Sequence, residues 1–417
     1  MTSALALLGG TPAITDPTPH FTWPPVTADT ESAVLDQLHT AVSIYDRSGV
    51  IEQLEDDLAA YHGVRHALLT SSGTAALHSM YAASGIRAGD EVIVPAYTFF
   101  ATVTPLFHLG AVPVQADCDQ DGNLDPDDVA ARITDRTTAI AVTHMWGTPA
   151  QTRRLREIAD AQGLLLLEDG SHAHGATIDG RKTGSLGHAA AFSLNGPKPL
   201  SAGEGGYLLT DDDATYHRAL IHGHYNKRCR TEIPRHDPLH QYAVTGQGLK
   251  FRIHPLAAAI AAQQLPHLDA RIAARHTCAD HMSDLLDTVP GFTPPRPPAA
   301  VRPSWYGYIL RYDPAPLDGL PLDRFHAALL AEGLSEADRP GSTCPLNTLP
   351  LFQDPAALFP DLPRTRAHRP GDFPRAEAFH DTIVKLPVWH TTDGQDLATR
   401  YARAFQKIAA HHHELLA

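Results

Sequence analysis

Cysteine is scarce in this chain. Cys118, Cys229, Cys278 and Cys344 are the only four in 417 residues, far apart and without a C-x-x-C pair. That pattern excludes a disulfide framework and reads as reduced thiols in a cytosolic protein. Long apolar runs are also missing: none reaches the roughly 18 residues of a membrane span. Met1 to Leu8 has neither a basic start nor a long apolar core, so neither export nor membrane insertion is expected. A basic face is lacking too. The net charge is −14 with acidic residues spread along the chain, which argues against nucleic acid or anionic lipid as a partner. The 26 histidines do not supply a metal site, because His172/His174 and His222/His224 lack a third ligand at suitable spacing. There is no internal repeat and no low-complexity tract.

What is present is an ordinary soluble composition, 43% hydrophobic and 19% charged, long enough for about two domains. Seven short apolar runs end in small or polar residues: Ala67–Thr70, Glu91–Val94, Val112–Asp117, Thr138–Met145, Leu164–Glu168, Ala189–Leu194 and Tyr207–Thr210. Helical patterns lie between them at Thr74–Ser84, Phe99–His108 and Pro149–Gln162. This alternation predicts an α/β fold with a mainly parallel sheet, whose ligand sits outside the carboxyl ends of the strands. An Ala-rich pattern from Ile253 to Arg275 predicts one long helix leading out of the sheet domain. Pro294–Pro298 then breaks the pattern. An aromatic alternating run, Trp305–Tyr312, and a helix over Leu322–Glu332 predict a smaller α+β domain. The proline-rich stretch Pro340–Phe373 reads as a surface excursion, followed by a terminal helix. The expected division is a large domain with its N-terminal segment, 1–265, and a small C-terminal domain, 266–417.

Two residues point to chemistry. Asp169 closes the apolar run Leu164–Glu168, and Lys198 lies in a stretch bounded by Ser193 and Gly203-Glu204-Gly205-Gly206. A buried acid can keep a pyridine nitrogen protonated, and a desolvated lysine has a lowered pKa and forms Schiff bases. Together they suggest pyridoxal 5′-phosphate. Ser71-Ser72-Gly73-Thr74-Ala75-Ala76-Leu77 follows a strand and opens a helix, whose free N–H groups make a phosphate site. Taken singly, that segment reads equally as a helix cap, Asp169 as a strand-end acid, His172 as a solvated loop histidine, and Phe99 and Phe100 as core residues. Their order and spacing in one chain favour the cofactor.

On these residues the chain resembles the DegT-type sugar and cyclitol aminotransferases. The segments that carry the likeness are Ser-Gly-Thr-Ala-Ala-Leu, the Glu168-Asp169 strand end and the Ser193 to Gly206 stretch, and it runs from Gly9-Gly10-Thr11-Pro12 to Leu386-Pro387-Val388-Trp389. The resemblance implies a fold-type-I transferase with a seven-stranded sheet and a homodimer with shared active sites. It implies that Gly73, Thr74 and Ser193 bind phosphate, that Phe99 stacks on the pyridine and that Asp169 pairs with its nitrogen. His172 then lies near the ring oxygen and Lys198 is the Schiff-base lysine and proton carrier. Relatives that dehydrate carry His at the lysine position; this chain keeps Lys198. A loop of the second subunit, usually with Asn in an Asn-x-Arg element, completes the phosphate site, and here that element reads Lys250-Phe251-Arg252.

The implied reaction moves an amino group from an amino acid, glutamine or glutamate, to a keto sugar or keto cyclitol in specialised-metabolite biosynthesis. The alternative is another pyridoxal phosphate reaction on the same scaffold: elimination, decarboxylation or carbon–carbon bond formation on an amino acid. A cofactor-binding regulator without turnover is a third reading. Substrate candidates are His224 and Tyr225 in the polar run His222–Arg228, together with Asn347 in Cys344-Pro345-Leu346-Asn347. Arg228, Arg230 and Arg252 stand as equal candidates for the donor carboxylate, because guanidinium binds carboxylate through two parallel hydrogen bonds.

Overall fold

A computed structural model describes residues 3–16, 18–20, 22–362 and 367–416. Its centre is a seven-stranded sheet: β1 His66–Thr70, β2 Glu91–Pro95, β3 Val112–Ala116, β4 Thr137–Thr143, β5 Leu165–Asp169, β6 Ala189–Ser193 and β7 Gly206–Thr210. In space the order is β1-β7-β6-β5-β4-β2-β3. The neighbours from β6 to β3 pair in parallel, while β7 runs antiparallel between β1 and β6, with Leu68 opposite Leu208 and Leu208 opposite Ala191. The expected mainly parallel sheet is therefore present, with one reversed strand.

The strands read as near-continuous apolar runs because helices cover both faces, the usual condition of a parallel sheet. On one face the Gly73–Ala83 helix buries Ala76, Leu77, Met80 and Tyr81 against Val92, Val94, Ala139 and Leu220. On another the Gly49–His62 and Pro255–Gln264 helices pack Leu54, Leu58, Ala258 and Ala261 against Leu69, Ala190 and Leu209. The six parallel strands end along one edge, at Thr70, Pro95, Ala116, Thr143, Asp169 and Ser193. This edge is where the chain collects its polar residues.

The C-terminal part has its own core. A three-stranded antiparallel sheet of Phe292–Thr293, Tyr308–Tyr312 and Ile383–Leu386 is covered by the helices Leu268–Leu286, Leu322–Ala331 and Gly394–Ala410. The last of these buries Leu397, Tyr401, Ala404, Phe405 and Ile408, an apolar stripe at helical spacing. Leu5 and Ile14 from the N-terminal segment belong to the same core, and Glu332 accepts hydrogen bonds from Ala6 N and Ala13 N. Two antiparallel stitches join this part to the large sheet region: Val301–Arg302 on Thr177–Ile178, and Thr343–Pro345 on Tyr97–Phe99.

Several expected elements are corrected. The pattern from Ile253 to Arg275 is two helices, Pro255–Gln264 and Leu268–Leu286, separated by a 3-10 turn at Leu265–His267. Pro266, which lacks an N–H, breaks the ladder there. The segment Phe99–His108 is α-helical only over Thr104–His108, after the strand Tyr97–Phe99 and a 3-10 turn at Phe100–Thr102. The helix expected from Pro149 starts at Thr152. The proline-rich stretch is not wholly a surface excursion, since Cys344, Leu346, Phe352 and Phe373 are buried; residues 363–366 within it lie outside the described residues.

Arg228 belongs to this framework. It is 2% exposed, and its guanidinium makes two parallel bonds to Glu55 at 2.8 and 2.9 Å and a third to Glu232 at 2.7 Å. Breaking such a buried pair leaves Glu55 short of a partner. Arg228→Met is expected to lower stability by about 3 kcal/mol, read as a lower midpoint in chemical denaturation. An unchanged midpoint would show that the ion pair contributes nothing net.

Candidate active site

The two carboxylates ending β5 separate because successive side chains of a strand point to opposite faces. Glu168 is fully buried on one face, where it accepts from His144 Nε2 at 3.0 Å and from the backbone N–H groups of Gly184 and Leu186. Burial alone would push its carboxyl up, but these partners outweigh burial and hold it below its ordinary range. Asp169 points the other way, into a cavity of about 390 Å³ at the carboxyl edge of the sheet. It is 4% exposed. Thr102 Oγ1 donates to its Oδ2 at 2.7 Å and Ser171 N to its Oδ1 at 3.1 Å. Thr98 and Thr143 fix Thr102 from below through hydroxyl contacts of 2.9 and 3.4 Å. Among the described residues no cation forms an ion pair with Asp169.

The opposite end of the cavity suits an anion. The Gly73–Ala83 helix begins there, and its dipole and first N–H groups favour negative charge. Ser72 caps it, accepting from Ala75 N at 3.1 Å, while Gly73, Thr74 and Ser193 line the cavity. A Cβ on Gly73 would lie 2.5 Å from Ser193 Cβ. Only glycine lets the helix start seat against the end of β6, so this close approach is built into the anion end.

Lys198 enters from the β6–β7 connection. Its N–H bonds to Asn195 O at 3.0 Å and its carbonyl accepts from Trp23 Nε1 at 2.9 Å. Gly203 and Gly205 take positive φ values of 82° and 150°, which lets the connection fold back to β7. The Lys198 amine stands over the Tyr306 ring, 4.5 Å from its centroid. Burial lowers its pKa to about 8, with Asp169 opposing the shift and Lys385 adding to it. His172 stacks on Tyr306 at 4.2 Å and on Trp146 at 5.6 Å. Its buried Nδ1 has no hydrogen-bond partner, and burial, with Lys198 and Lys385 adding, holds the imidazole well below its ordinary pKa and neutral. Phe99 flanks the mouth, 36% exposed, against Phe100.

Gly73, Thr74, Phe99, Asp169, His172, Ser193 and Lys198 therefore converge on one cavity. The sequence reading missed Thr98, Thr102, Thr143, Tyr306 and Thr343, which also line it. Tyr306 lies in the aromatic run noted above, yet nothing local tells that a residue from the C-terminal part reaches the large sheet. The remaining candidates are outside the cavity lining. Arg228 is saturated by Glu55 and Glu232, so it is not available to a donor carboxylate. Asn347 is buried and donates to Arg369 O and Glu377 Oε1 at 2.8 and 2.7 Å, bracing its own loop. His224 is buried, bridges Lys250 through the backbone and is kept neutral by burial, with Arg228 and Arg252 adding. Tyr225 is half-buried beside Gly246. Arg252 stacks on Tyr45 at 5.1 Å, and Arg230 and Lys250 are exposed.

The residues fit pyridoxal phosphate on structural grounds: a glycine cradle at a helix start, an unpartnered buried imidazole nitrogen, a buried carboxylate without a cation and a desolvated amine, all facing one space.

The model of the DegT/DnrJ/EryC1/StrS aminotransferase family matches residues 31–402. The L-glutamine:2-deoxy-scyllo-inosose aminotransferase of Streptomyces kanamyceticus is 37% identical over 368 residues, 85% of this chain and 84% of its own. The L-glutamine:scyllo-inosose aminotransferase of Streptomyces griseus is 33% identical over 372 residues, covering 87% and 86%. Among solved structures, DesI in the presence of its TDP-sugar product superposes with a TM-score of 0.81 at 29% identity, covering 100% of this chain and 99% of that one. 3-Amino-5-hydroxybenzoic acid synthase gives 0.77 at 28% identity, covering 94% and 98%. The fold is that of the fold-type-I transferases.

Asp169→Asn keeps the shape of the pocket floor but removes its charge and one of the two acceptor oxygens that Thr102 and Ser171 use. Loss of a charge-assisted bond is expected to reduce turnover about 10- to 100-fold, with the thermal midpoint close to that of the parent protein. A folded variant with full activity would show that the carboxylate does not pair with the ring nitrogen.

Proposed function

The chain belongs to the DegT/DnrJ/EryC1/StrS aminotransferase family, and on that premise we propose that it transfers the amino group of L-glutamine to the ketone of a cyclitol or sugar. The observation that carries this reading is the convergence of Lys198, Asp169 and the Gly73 helix start on one cavity. The names of the Streptomyces relatives support glutamine as donor and a keto cyclitol as acceptor, and the TDP-sugar in the DesI structure supports a keto sugar as the wider class.

Pyridoxal 5′-phosphate, when bound, supplies an electron sink for the pair left by a broken C–H bond and carries the amino group between donor and acceptor. The chain's own residues do the rest. The Gly73 helix start, Thr74 and Ser193 hold the phosphate. Asp169 keeps the ring nitrogen protonated, and its own orientation is fixed by Thr102 and Ser171. Phe99 would cover one face of the ring, and the His172 imidazole, whose buried Nδ1 has no partner, would lie near the ring oxygen. Lys198 Nζ takes a proton from the donor carbon in the first half of the reaction and returns one to the acceptor carbon in the second. A pKa of about 8 suits that task, since a group that both accepts and donates works best near the operating pH.

The working unit in this reading is a homodimer in the cytoplasm. Lys250 is exposed and Arg252 half-buried, neither lining its own chain's cavity, and four free, buried cysteines suit a reducing compartment. No helix among the described residues is long and apolar enough to cross a membrane.

Incubating the holoenzyme with L-glutamine and a panel of ketones, namely scyllo-inosose, 2-deoxy-scyllo-inosose and a TDP-linked keto sugar, is expected to yield an amine of one of them by mass spectrometry. Lys198→Ala is expected to abolish it. Absence of amine from every ketone, or full turnover by the variant, would overturn the assignment. Lys250→Ala is expected to weaken cofactor retention about tenfold, the scale of one charge-assisted hydrogen bond, in a protein that elutes as a dimer. Unchanged retention would remove Lys250 from a partner's phosphate site.

A further inference from the structure

Beside the cavity, the C-terminal part brings up a second ammonium whose position the reaction scheme above leaves unused. Lys385 lies on the Ile383–Leu386 strand, and its Nζ is 3.1 Å from Asp338 Oδ2, while its backbone pairs with Asp338 in both directions. The same Nζ stands 5.7 Å from the Trp146 ring centroid and 5.9 Å from that of Tyr306. Tyr306 is also the ring over which the Lys198 amine sits, at 4.5 Å. Two lysines of separate domains therefore share one aromatic ring. The third member of the stack, His172, is pressed on Tyr306. A Cβ added at Gly307 would meet Lys385 Cγ at 3.2 Å, so the glycine after Tyr306 leaves room for the lysine stem.

We propose that Lys385 is a positioning residue for Lys198: anchored by Asp338, it pins Tyr306 beneath the amine and sets a like charge against the same ring. The proposal rests on the reading of Lys198 as the reactive amine. The nitrogens lie 4.5 Å and 5.9 Å from the same ring centroid, and the two ammonium groups repel each other electrostatically. An ammonium that must lose its proton to react gains from a neighbouring cation.

Among the described residues few titratable groups face Lys198; Glu204 also lines the cavity, where it accepts from Asn195 Nδ2 at 3.0 Å. Asp169 opposes the effect from the end of β5. His172 and His174, from the loop that follows, are both buried and neutral. Burial pushes the Tyr306 phenol up to about 12, so the ring stays uncharged. Lys385 is the one cation among them. Burial sets most of the lowering at Lys198, and Lys385 adds to it.

The sign of the effect distinguishes an electrostatic role from a structural one. Lys385→Met removes a cation, so the Lys198 pKa must rise. Asp338→Asn leaves Lys385 charged but without its counter-ion, so the Lys198 pKa must fall. Lys385→Arg must return it to the parent value. The test is the pH dependence of Lys198 acylation by an amine-reactive reagent in the full-length, cofactor-free protein, followed by mass spectrometry of the Lys198 peptide. It reads the amine directly and does not depend on whether the enzyme transaminates. The kcat profile of each holoenzyme is the second readout.

Expected shifts are about 0.5 to 1 pH unit upward for Lys385→Met and a smaller downward shift for Asp338→Asn, with the alkaline rise in kcat moving in step. No shift in either variant, or shifts in the same direction, would overturn the proposal. Asp338 is half-exposed on its side chain, so Asp338→Asn keeps the test decisive should Lys385→Met fail to fold.

Discussion

A carboxylate at the end of an apolar strand is expensive to bury unless its charge is met, and among the described residues the Asp169 side chain meets two neutral donors, Thr102 Oγ1 and Ser171 N. Much of the site follows from that deficit. The threonines beneath it fix its orientation without neutralising it, and the strand's alternation sends its neighbour Glu168 to the opposite face, where His144 and loop N–H groups satisfy it fully. One carboxylate is thus spent on architecture and the next is kept for a ligand. In the proposed reading a protonated pyridine nitrogen would supply the missing charge, and the Gly73 helix start across the cavity would take that molecule's phosphate.

The amine is shaped by the same desolvation acting with the opposite sign. Lys198 is half-buried, with its amine desolvated over the Tyr306 ring, and that desolvation lowers its pKa to about 8. Its backbone is held at both ends of the residue, by Asn195 O and Trp23 Nε1, so the side chain alone is left to move. The wall that dries it comes largely from the C-terminal part, through Tyr306. The stitch of Thr343–Pro345 on Tyr97–Phe99 brings two more residues of that part to the mouth. Catalytic competence therefore depends on how the two parts are joined, which ties the fold to the chemistry more closely than either core alone would.

Much of this was legible in the sequence because the relevant signals are local. Strand-end acids, a Ser-Gly-Thr helix start and a lysine in a glycine-rich connection each sit on an element whose periodicity can be read, and parallel topology carries them to one edge. Seven residues expected at the cofactor converge as a result. The misses have a common cause in distance along the chain. Arg228, a candidate for a donor carboxylate, is occupied by Glu55, 173 positions away, and Asn347 by Arg369 and Glu377; a pairing of that kind leaves no trace near either residue. Tyr306 was visible only as part of an alternating aromatic run. The long Ile253–Arg275 helix failed for a local reason: an Ala-rich pattern outweighed Pro266, whose missing N–H breaks the helix.

The central claim is that Lys198 and Asp169 hold pyridoxal phosphate in a state that exchanges amino groups. The visible absorbance of the purified protein, reconstituted with the cofactor and then treated with L-glutamine, tests it most directly. The account predicts loss of the yellow band and recovery of the cofactor as pyridoxamine phosphate in stoichiometric amount, without any ketone present. A yellow band that persists with L-glutamine, L-glutamate and every other amino acid offered would contradict it.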